Sequence, residues 1–395
     1  MNRFCDPAIV LGGGATTGLE AVRSLGRAGI PVYYLDDEEC ITVFSKYCKN
    51  YFVSSKIKSS KEELKEVLLN IQNKTDGVVV LFPASDLFAL YLSDLMDELS
   101  NFRVPAPTKQ IIEILIDKKK FYQTLSEERI PFPATHFPQD LESVKEISKE
   151  VSYPVFLKPR FSHLFRQHFG SGKKGFLVNS PTELAEYCEM LMKVGVEVMV
   201  QDVILGPPTD GVFIDGYMDA ASTSRVLFAR HRLRMWPLDF GNSSLCEAIP
   251  ISMVASLKEP LLKYLKSIHY RGIFSAEYKK DERDGLFKIV EINSRTSGWF
   301  STLSAKCGVS IMLAAYLDAI GRGSEYSENY PSGAKLMFTV DDIRASLAML
   351  MKRELSVGQW ISSLLGETEH VPYARDDILP FIKDISNLLQ SIFRA

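Results

Sequence analysis

Through the first hundred residues the apolar positions follow two alternating rhythms. Short apolar runs, AIVLGG at 8–13, VYYLDD at 32–37 and GVVVLFP at 77–83, are separated by segments whose apolar residues recur every three or four positions: TGLEAVRSLGRAG at 17–29, KEELKEVLLNIQN at 61–73 and SDLFALYLSDLMDEL at 85–99. Continuous runs fit strands buried on both faces, and the longer period fits amphipathic helices. The order βαβαβα predicts a parallel sheet with helices on its faces, a Rossmann-like domain. Its carboxyl edge would carry GGGATTG, LDDEE and FPASD. Gly12, Gly14 and Gly18, with Asp36 and Asp37 further on, approximate a dinucleotide fingerprint whose third glycine falls one residue late. A nicotinamide-dependent oxidoreductase therefore stands as one reading.

The pattern changes at FRVPAPTKQ, residues 102–110, where two prolines break the alternation. YPVFLKPR at 153–160 reads as a strand, SHLFRQHFGSGKKGFLV at 162–178 as a polar loop returning into a strand, and SPTELAEYCEMLMKVG at 180–195 as a helix before the alternating strand VEVMVQDVI. Further alternating strands run from about Gly211 to Ser294 around one helix, 252–269, and the chain from about Ser332 reads as helical. The expected architecture is α/β followed by α+β with antiparallel sheets. It divides into residues 1–105, 106–200, 201–331 and a helical region 332–395.

Composition narrows the partners. Lys+Arg 46 against Asp+Glu 49 leaves a formal charge of -3 over 395 residues, which offers no global attraction to nucleic acid or to an acidic membrane surface. No run approaches the ~18 apolar residues of a membrane helix. Six cysteines without C-x-x-C spacing argue against a zinc site and a disulfide framework. A reducing, cytoplasmic setting and small-molecule partners are expected.

The chemistry concentrates in GIFSAEYKKDERDGLFKIVEINSR, residues 272–295, two strands around an Asp-Gly turn. Folded about Asp284, Glu277 lies opposite Glu291. Like charges facing each other in a half-buried ribbon call for a cation between them. Asn293, two residues past Glu291, shares its face, so Glu, Glu and Asn oxygens point together. Such a hard-oxygen set suits magnesium beside phosphates, and Arg295, again on that face, suits a transferring phosphoryl group. The bland alternative is an exposed hairpin whose glutamates pair with Lys279, Lys280 or Lys288. Lys158 ends an apolar strand where a point charge can meet a phosphate oxygen. Gly172 and Lys173, in GSGKKG, suit a flap over phosphates, and Gln201 with the backbone at Val203 suits an adenine edge.

The order of these signals, DK before a helix, FLKPR, a glycine-lysine flap, VMVQDVI, then FSAEY and VEINSR, resembles the ATP-grasp superfamily over roughly residues 1–320. RHRLRMWPLDFGNSSLCE and ARDDILPF are similar to its carboxylate–amine ligase branch, which includes D-aspartate ligase. The resemblance implies ATP with two magnesium ions, manganese being able to substitute, and Lys118 and Lys158 as nucleotide-phosphate ligands, with Lys118 or Lys119 pointing inward. It implies Gln201, Asp202 and Val203 around adenine, and Glu277, Glu291 and Asn293 on the metal. Asp210 is the acid nearest the ribose position, and Arg295 and Arg234 serve the reacting carboxylate or acylphosphate. VLGGGATTGLE then belongs to the domain beside the site, its glycines structural or closing over substrate. The implied reaction joins a small-molecule carboxylate to an amine at the expense of ATP; bicarbonate as the carboxylate is the alternative. A homodimer is the family expectation.

Overall fold

The computed structural model describes residues 4–72, 77–161, 165, 168–169, 174–323 and 325–394. The chain forms two compact units. One comprises Met1–Ile111, Val212–Ala276 and Ile292–Ala395; the other comprises Ile112–Gly211 and Glu277–Glu291.

The first unit holds a five-stranded sheet of β1 (Ala8–Leu11), β2 (Val32–Asp36), β3 (Cys48–Val53), β4 (Val79–Pro83) and β5 (Phe102–Arg103), all parallel, in the order β3-β2-β1-β4-β5. The continuous apolar runs are explained by burial on both faces. Ile9, Leu11, Val79 and Leu81 pack with Leu64 and Leu68 of α2 (Lys61–Gln72) and Phe88 and Leu92 of α3 (Asp86–Leu95). Their neighbours Ala8, Val10, Val80 and Phe82 pack with Ala21, Val22 and Leu25 of α1 (Leu19–Arg27). β3 and β5 lie at the two edges, and neither stands out in the hydrophobic pattern.

The glycine loop has a packing role in this unit. Gly12, Gly13 and Gly14 all take positive φ, 71°, 87° and 57°, a left-handed succession that side chains resist. A Cβ on Gly18 would lie 2.8 Å from the Tyr34 ring and 2.9 Å from the Gly12 carbonyl oxygen. Asp36 is buried and accepts from the Tyr34 hydroxyl at 2.6 Å, with Lys58 at 3.0 Å. Burial opposes its ionisation, but these hydrogen bonds hold the carboxyl below its ordinary value. The acid expected on a dinucleotide ribose is thus engaged within the fold.

A seven-stranded sheet, ordered β14-β13-β10-β11-β12-β15-β16, is formed by β10 (Gly211–Met218), β11 (Ser224–Trp236), β12 (Asn242–Ile249), β13 (Gly272–Lys280), β14 (Phe287–Asn293), β15 (Lys335–Phe338) and β16 (Thr368–Val371). The C-terminal region is therefore not purely helical, since two four-residue strands extend this sheet. β13 passes into the second unit after Ala276, and β14 returns from it after Glu291.

The second unit contains a four-stranded antiparallel sheet, ordered β6-β9-β7-β8, of β6 (Thr135–His136), β7 (Val155–Pro159), β8 (Phe176–Val178) and β9 (Val198–Asp202). One face, Val155, Leu157, Val198 and Val200, forms a core with Val144 of α6 (Leu141–Glu150) and with Leu184, Cys188 and Leu191 of α7 (Pro181–Lys193). The helices α4 (Lys109–Ile116) and α5 (Lys118–Glu127) precede it in the chain. None of the six cysteines is in a disulfide, and no single helix among the described residues is long and apolar enough to cross a membrane.

Candidate active site

With one face of the four-stranded sheet buried against helices, side-chain alternation turns Phe156, Lys158, Met199 and Gln201 to the other. On that face the Lys158 ammonium donates to Gln201 Oε1 at 2.9 Å and lies 5.2 Å from the centre of the Phe156 ring. Gln201 Nε2 donates in turn to Thr135 Oγ1 at 2.8 Å, and the register pairs these two residues directly. The amide's orientation is fixed by this chain: its oxygen faces the lysine.

Asp117 caps α5, accepting from the Lys119 amide at 3.0 Å, and receives both arms of Arg160 at 2.7 and 2.6 Å. Arg160 stands two residues past Lys158. The pair therefore ties the start of the helix carrying Lys118 to the end of the strand carrying Lys158. One turn into α5, the Tyr122 hydroxyl donates to the Val290 carbonyl at 3.1 Å, fastening the helix to the strand of Glu291.

Charge crowds this face. Burial pushes the Lys158 ammonium down to about 8; Lys118 and Lys174 push it the same way, while Glu291 and Glu277 pull it up. Two other lysines and two glutamates thus act on one amine. Of the three lysines offered as alternative partners of the glutamates, Lys279 donates to the carbonyls of Ile204 and Gly206 at 2.8 and 2.7 Å, and Lys288 pairs with Asp281 and Asp284 at 2.7 and 3.0 Å. Glu277 is half-buried and Glu291 exposed.

No group of three or more His, Cys, Asp or Glu side chains among the described residues could hold a metal ion. Two carboxylates and an amide oxygen fit magnesium, which binds through few protein ligands and keeps much of its water. Asn293 Oδ1 accepts from Arg295 Nη2 at 3.2 Å, and Arg295 Nε donates to Asp86 Oδ1 at 2.7 Å. The arginine is held at both ends of its guanidinium.

The other expected residues are placed differently. Asp202 falls on the opposite face of β9 from Gln201 and lies 3.7 Å from Arg283 Nη1, while the Val203 carbonyl accepts from Arg283 Nη2 at 2.9 Å. Asp210 ends the short turn Pro208–Asp210. Arg234 is buried on β11, its Nε and Nη2 donating to Asp342 at 2.9 and 2.7 Å and its Nη1 to Ser363 Oγ at 2.6 Å. A guanidinium so engaged differs from the expected hold on a substrate carboxylate. Gly172 and Lys173 lie outside the described residues. Arg160, Tyr122 and Thr135 were not singled out by sequence; the only signal was the arginine two places after the strand lysine.

No protein-family model matches the chain. A D-aspartate ligase from Enterococcus faecium is 27% identical over 234 residues, 57% of this chain and 55% of the relative. The carbamoyl phosphate synthase large chain of Corynebacterium glutamicum is 21% identical over 236 residues, 58% of this chain and 20% of the relative. The chain thus spans about half the length of the first relative and a fifth of the second. Among solved structures, the biotin carboxylase domain of Hydrogenobacter thermophilus 2-oxoglutarate carboxylase, in complex with MgADP, ADP and bicarbonate, aligns with a TM-score of 0.65 at 17% identity, covering 82% of this chain and 72% of that one. N5-carboxyaminoimidazole synthetase from Staphylococcus aureus, complexed with ADP, gives 0.65 at 18%, covering 83% and 80%. L-amino acid ligase from Bacillus licheniformis gives 0.58 at 15%, covering 81% and 75%.

Proposed function

From a chain with the ATP-grasp fold and a relative in D-aspartate ligase, we infer an ATP-dependent ligase that joins a carboxylate to an amine. The observation that carries this reading is the crowding about Lys158. Lysines that repel one another on a half-buried face are relieved by a polyanion, and glutamates acting on the same amine supply the counter-charge for a metal bound to it. The Rossmann-like amino-terminal domain and the divisions at 105, 200 and 331 belong to the same proposal, as does a cytoplasmic setting.

In this scheme Lys118 and Lys158 hold phosphate oxygens, with Gly172 and Lys173 of the flap closing over them. Gln201, Asp202 and Val203 border the adenine and Asp210 lies toward the ribose. Glu277, Glu291 and Asn293 would hold two magnesium ions, with manganese able to substitute. The metal would neutralise phosphate charge as the bond to the leaving ADP breaks. A carboxylate oxygen of the substrate bonds to the γ-phosphorus as the bond to the ADP oxygen breaks. The amine nitrogen then bonds to the acyl carbon, phosphate leaves and the nitrogen loses its proton. Side chains contribute position and fixed charge, with Arg295 oriented by Asp86 toward the charge that develops on the phosphoryl oxygens.

The test is a screen for ADP release with ATP and magnesium against amino acids, dipeptides and bicarbonate, with amide formation followed by mass spectrometry. ADP released together with an amide supports the ligase. Release with bicarbonate alone moves the reading to bicarbonate phosphorylation, and reduction of NAD(P) without ADP release overturns it.

A further inference from the structure

In the first unit, a cleft lies at the carboxyl ends of two helices, and no step of the ligase scheme uses it. The helices α1 and α8 (Gly298–Lys306) pack together and run the same way. A Cβ on Gly298 would lie 3.2 Å from Thr17 Cα, and further along the Thr302 hydroxyl donates to Glu20. The glycine loop and Arg295 therefore stand at the amino ends of the pair. Each helix is nine residues long, so its other end is about 12 Å away. There Arg27 and Lys306 border a cleft of about 900 Å³, a size at which ligands are enclosed.

A further wall of the cleft is β16. This strand is the last in its sheet and pairs with β15 alone, so among the described residues its outer row of backbone N–H and C=O groups meets no other strand. Four consecutive residues, Glu367, Thr368, Glu369 and His370, line the cleft. Successive side chains point to opposite faces of a sheet, so such a run marks the open edge of the strand and not one of its faces. In the same lining, Ser24 Oγ and Thr368 Oγ1 are buried without a hydrogen-bond partner among the described residues, a cost that a polar occupant would relieve.

The charges of the cleft divide. Asp376 is fully engaged, accepting from both arms of Arg27 at 3.0 and 2.8 Å and from the Tyr47 hydroxyl at 2.6 Å. One ammonium, Lys306, lies 2.8 Å from Glu367 and 2.8 Å from Glu369, which leaves a net negative charge there. The Arg375 side chain makes no ion pair or hydrogen bond among the described residues and leaves a positive one. Three cations and three carboxylates cancel, so a phosphate or a nucleotide would meet as much repulsion as attraction. A molecule with an ammonium at one end and a carboxylate at the other is matched at both.

We propose that this cleft binds a short peptide with free ends, laid as an added strand along the edge of β16, its carboxylate on Arg375 and its ammonium beside Glu367 and Glu369. An open sheet edge hydrogen-bonds any extended backbone, and the guanidinium fork fits a carboxylate. The four residues of β16 span about 13 Å, the reach of a tri- or tetrapeptide.

Calorimetric titration of tetra-alanine into the full chain at two temperatures, without ATP or magnesium, tests this. Binding is expected. Arg375→Ala and, separately, a tetra-alanine acetylated and amidated at its ends should each raise the dissociation constant about tenfold, and free alanine should bind at least about tenfold more weakly. Arg375 is exposed, so its substitution should leave the far-ultraviolet circular dichroism unchanged. Glu277→Gln should leave peptide binding unchanged. No binding of tetra-alanine at millimolar concentration, equal affinity for free and blocked peptides, or indifference to Arg375→Ala would overturn the proposal. So would loss of binding in Glu277→Gln, which would move the peptide to the candidate active site. With no nucleotide present, the result stands apart from the outcome of the ligase screen.

Discussion

The carboxylate of Asp117 and the guanidinium of Arg160 meet through two hydrogen bonds, at 2.7 and 2.6 Å, and so fix the separation of the segments that carry Lys118 and Lys158. Removing the arginine leaves the Asp117 side chain, 6% exposed, without its partner. Arg160→Ala is expected to lower unfolding free energy by about 2 kcal/mol in urea titrations and to raise the KM for ATP about tenfold, while Arg160→Lys keeps the charge but loses the fork and falls between. Burial opposes ionisation of Asp117, but Arg160 holds its carboxyl below the ordinary value. That stability is in place above the unfolded pKa of about 3.9 and is lost as pH falls through the native value, so the Arg160→Ala deficit should shrink in acid. A deficit that does not shrink as the pH falls contradicts this.

Lys158 titrates in a useful window. Its ammonium is pushed down to about 8, so the charge needed by a phosphate is lost as pH rises through that value. The kcat/KM for ATP should therefore decline above pH 8, and Lys158→Arg, which stays charged, should move the decline upward. For stability the sign is opposite to that of a salt-bridged lysine. The depressed pKa means that protonation costs the folded state below 8, and the penalty fades between about 8 and the unfolded value near 10.4. A pH profile flat from 7 to 9.5 would exclude Lys158 from nucleotide binding.

Arg234 separates two roles. Its pairing with Asp342, both nearly fully buried, predicts that Arg234→Met destabilises the protein by about 3 kcal/mol or more, because a buried carboxylate is stranded. Adding Asp342→Leu should restore much of that loss. If Arg234→Met instead unfolds like the wild type yet loses turnover, the arginine serves the substrate.

Much of the parallel sheet was legible because strands buried on both faces must be continuously apolar. β1, β2 and β4 obey that rule, whereas β3 lies at an edge with Lys49, Asn50 and Tyr51 exposed and carries no such signature. β15 and β16 were invisible for a related reason: four residues are too short for a period, and Thr368–Val371 includes Glu369 and His370. The glutamates and lysines proposed for the site stand out in the sequence because their chemistry is unusual for their strands. Asp117 with Arg160, and Arg234 with Asp342, could not, since partners 43 and 108 residues apart leave no local pattern.

Ligand stabilisation discriminates the two nucleotide readings. ATP with magnesium should raise the melting temperature, because a ligand bound only to the native state stabilises in proportion to its saturation, while NAD(P)H should leave it unmoved. A shift with NAD(P)H alone would return the glycine loop and Asp36 to the nucleotide.

The most direct test of the central claim is calorimetric titration of ATP with and without magnesium, comparing wild type with Glu277→Gln and Glu291→Gln. Magnesium should tighten ATP binding to the wild type by at least about tenfold, and each substitution should abolish most of that gain while the protein stays folded. Equal magnesium dependence in all three proteins would contradict the assignment of these glutamates to a metal–nucleotide site.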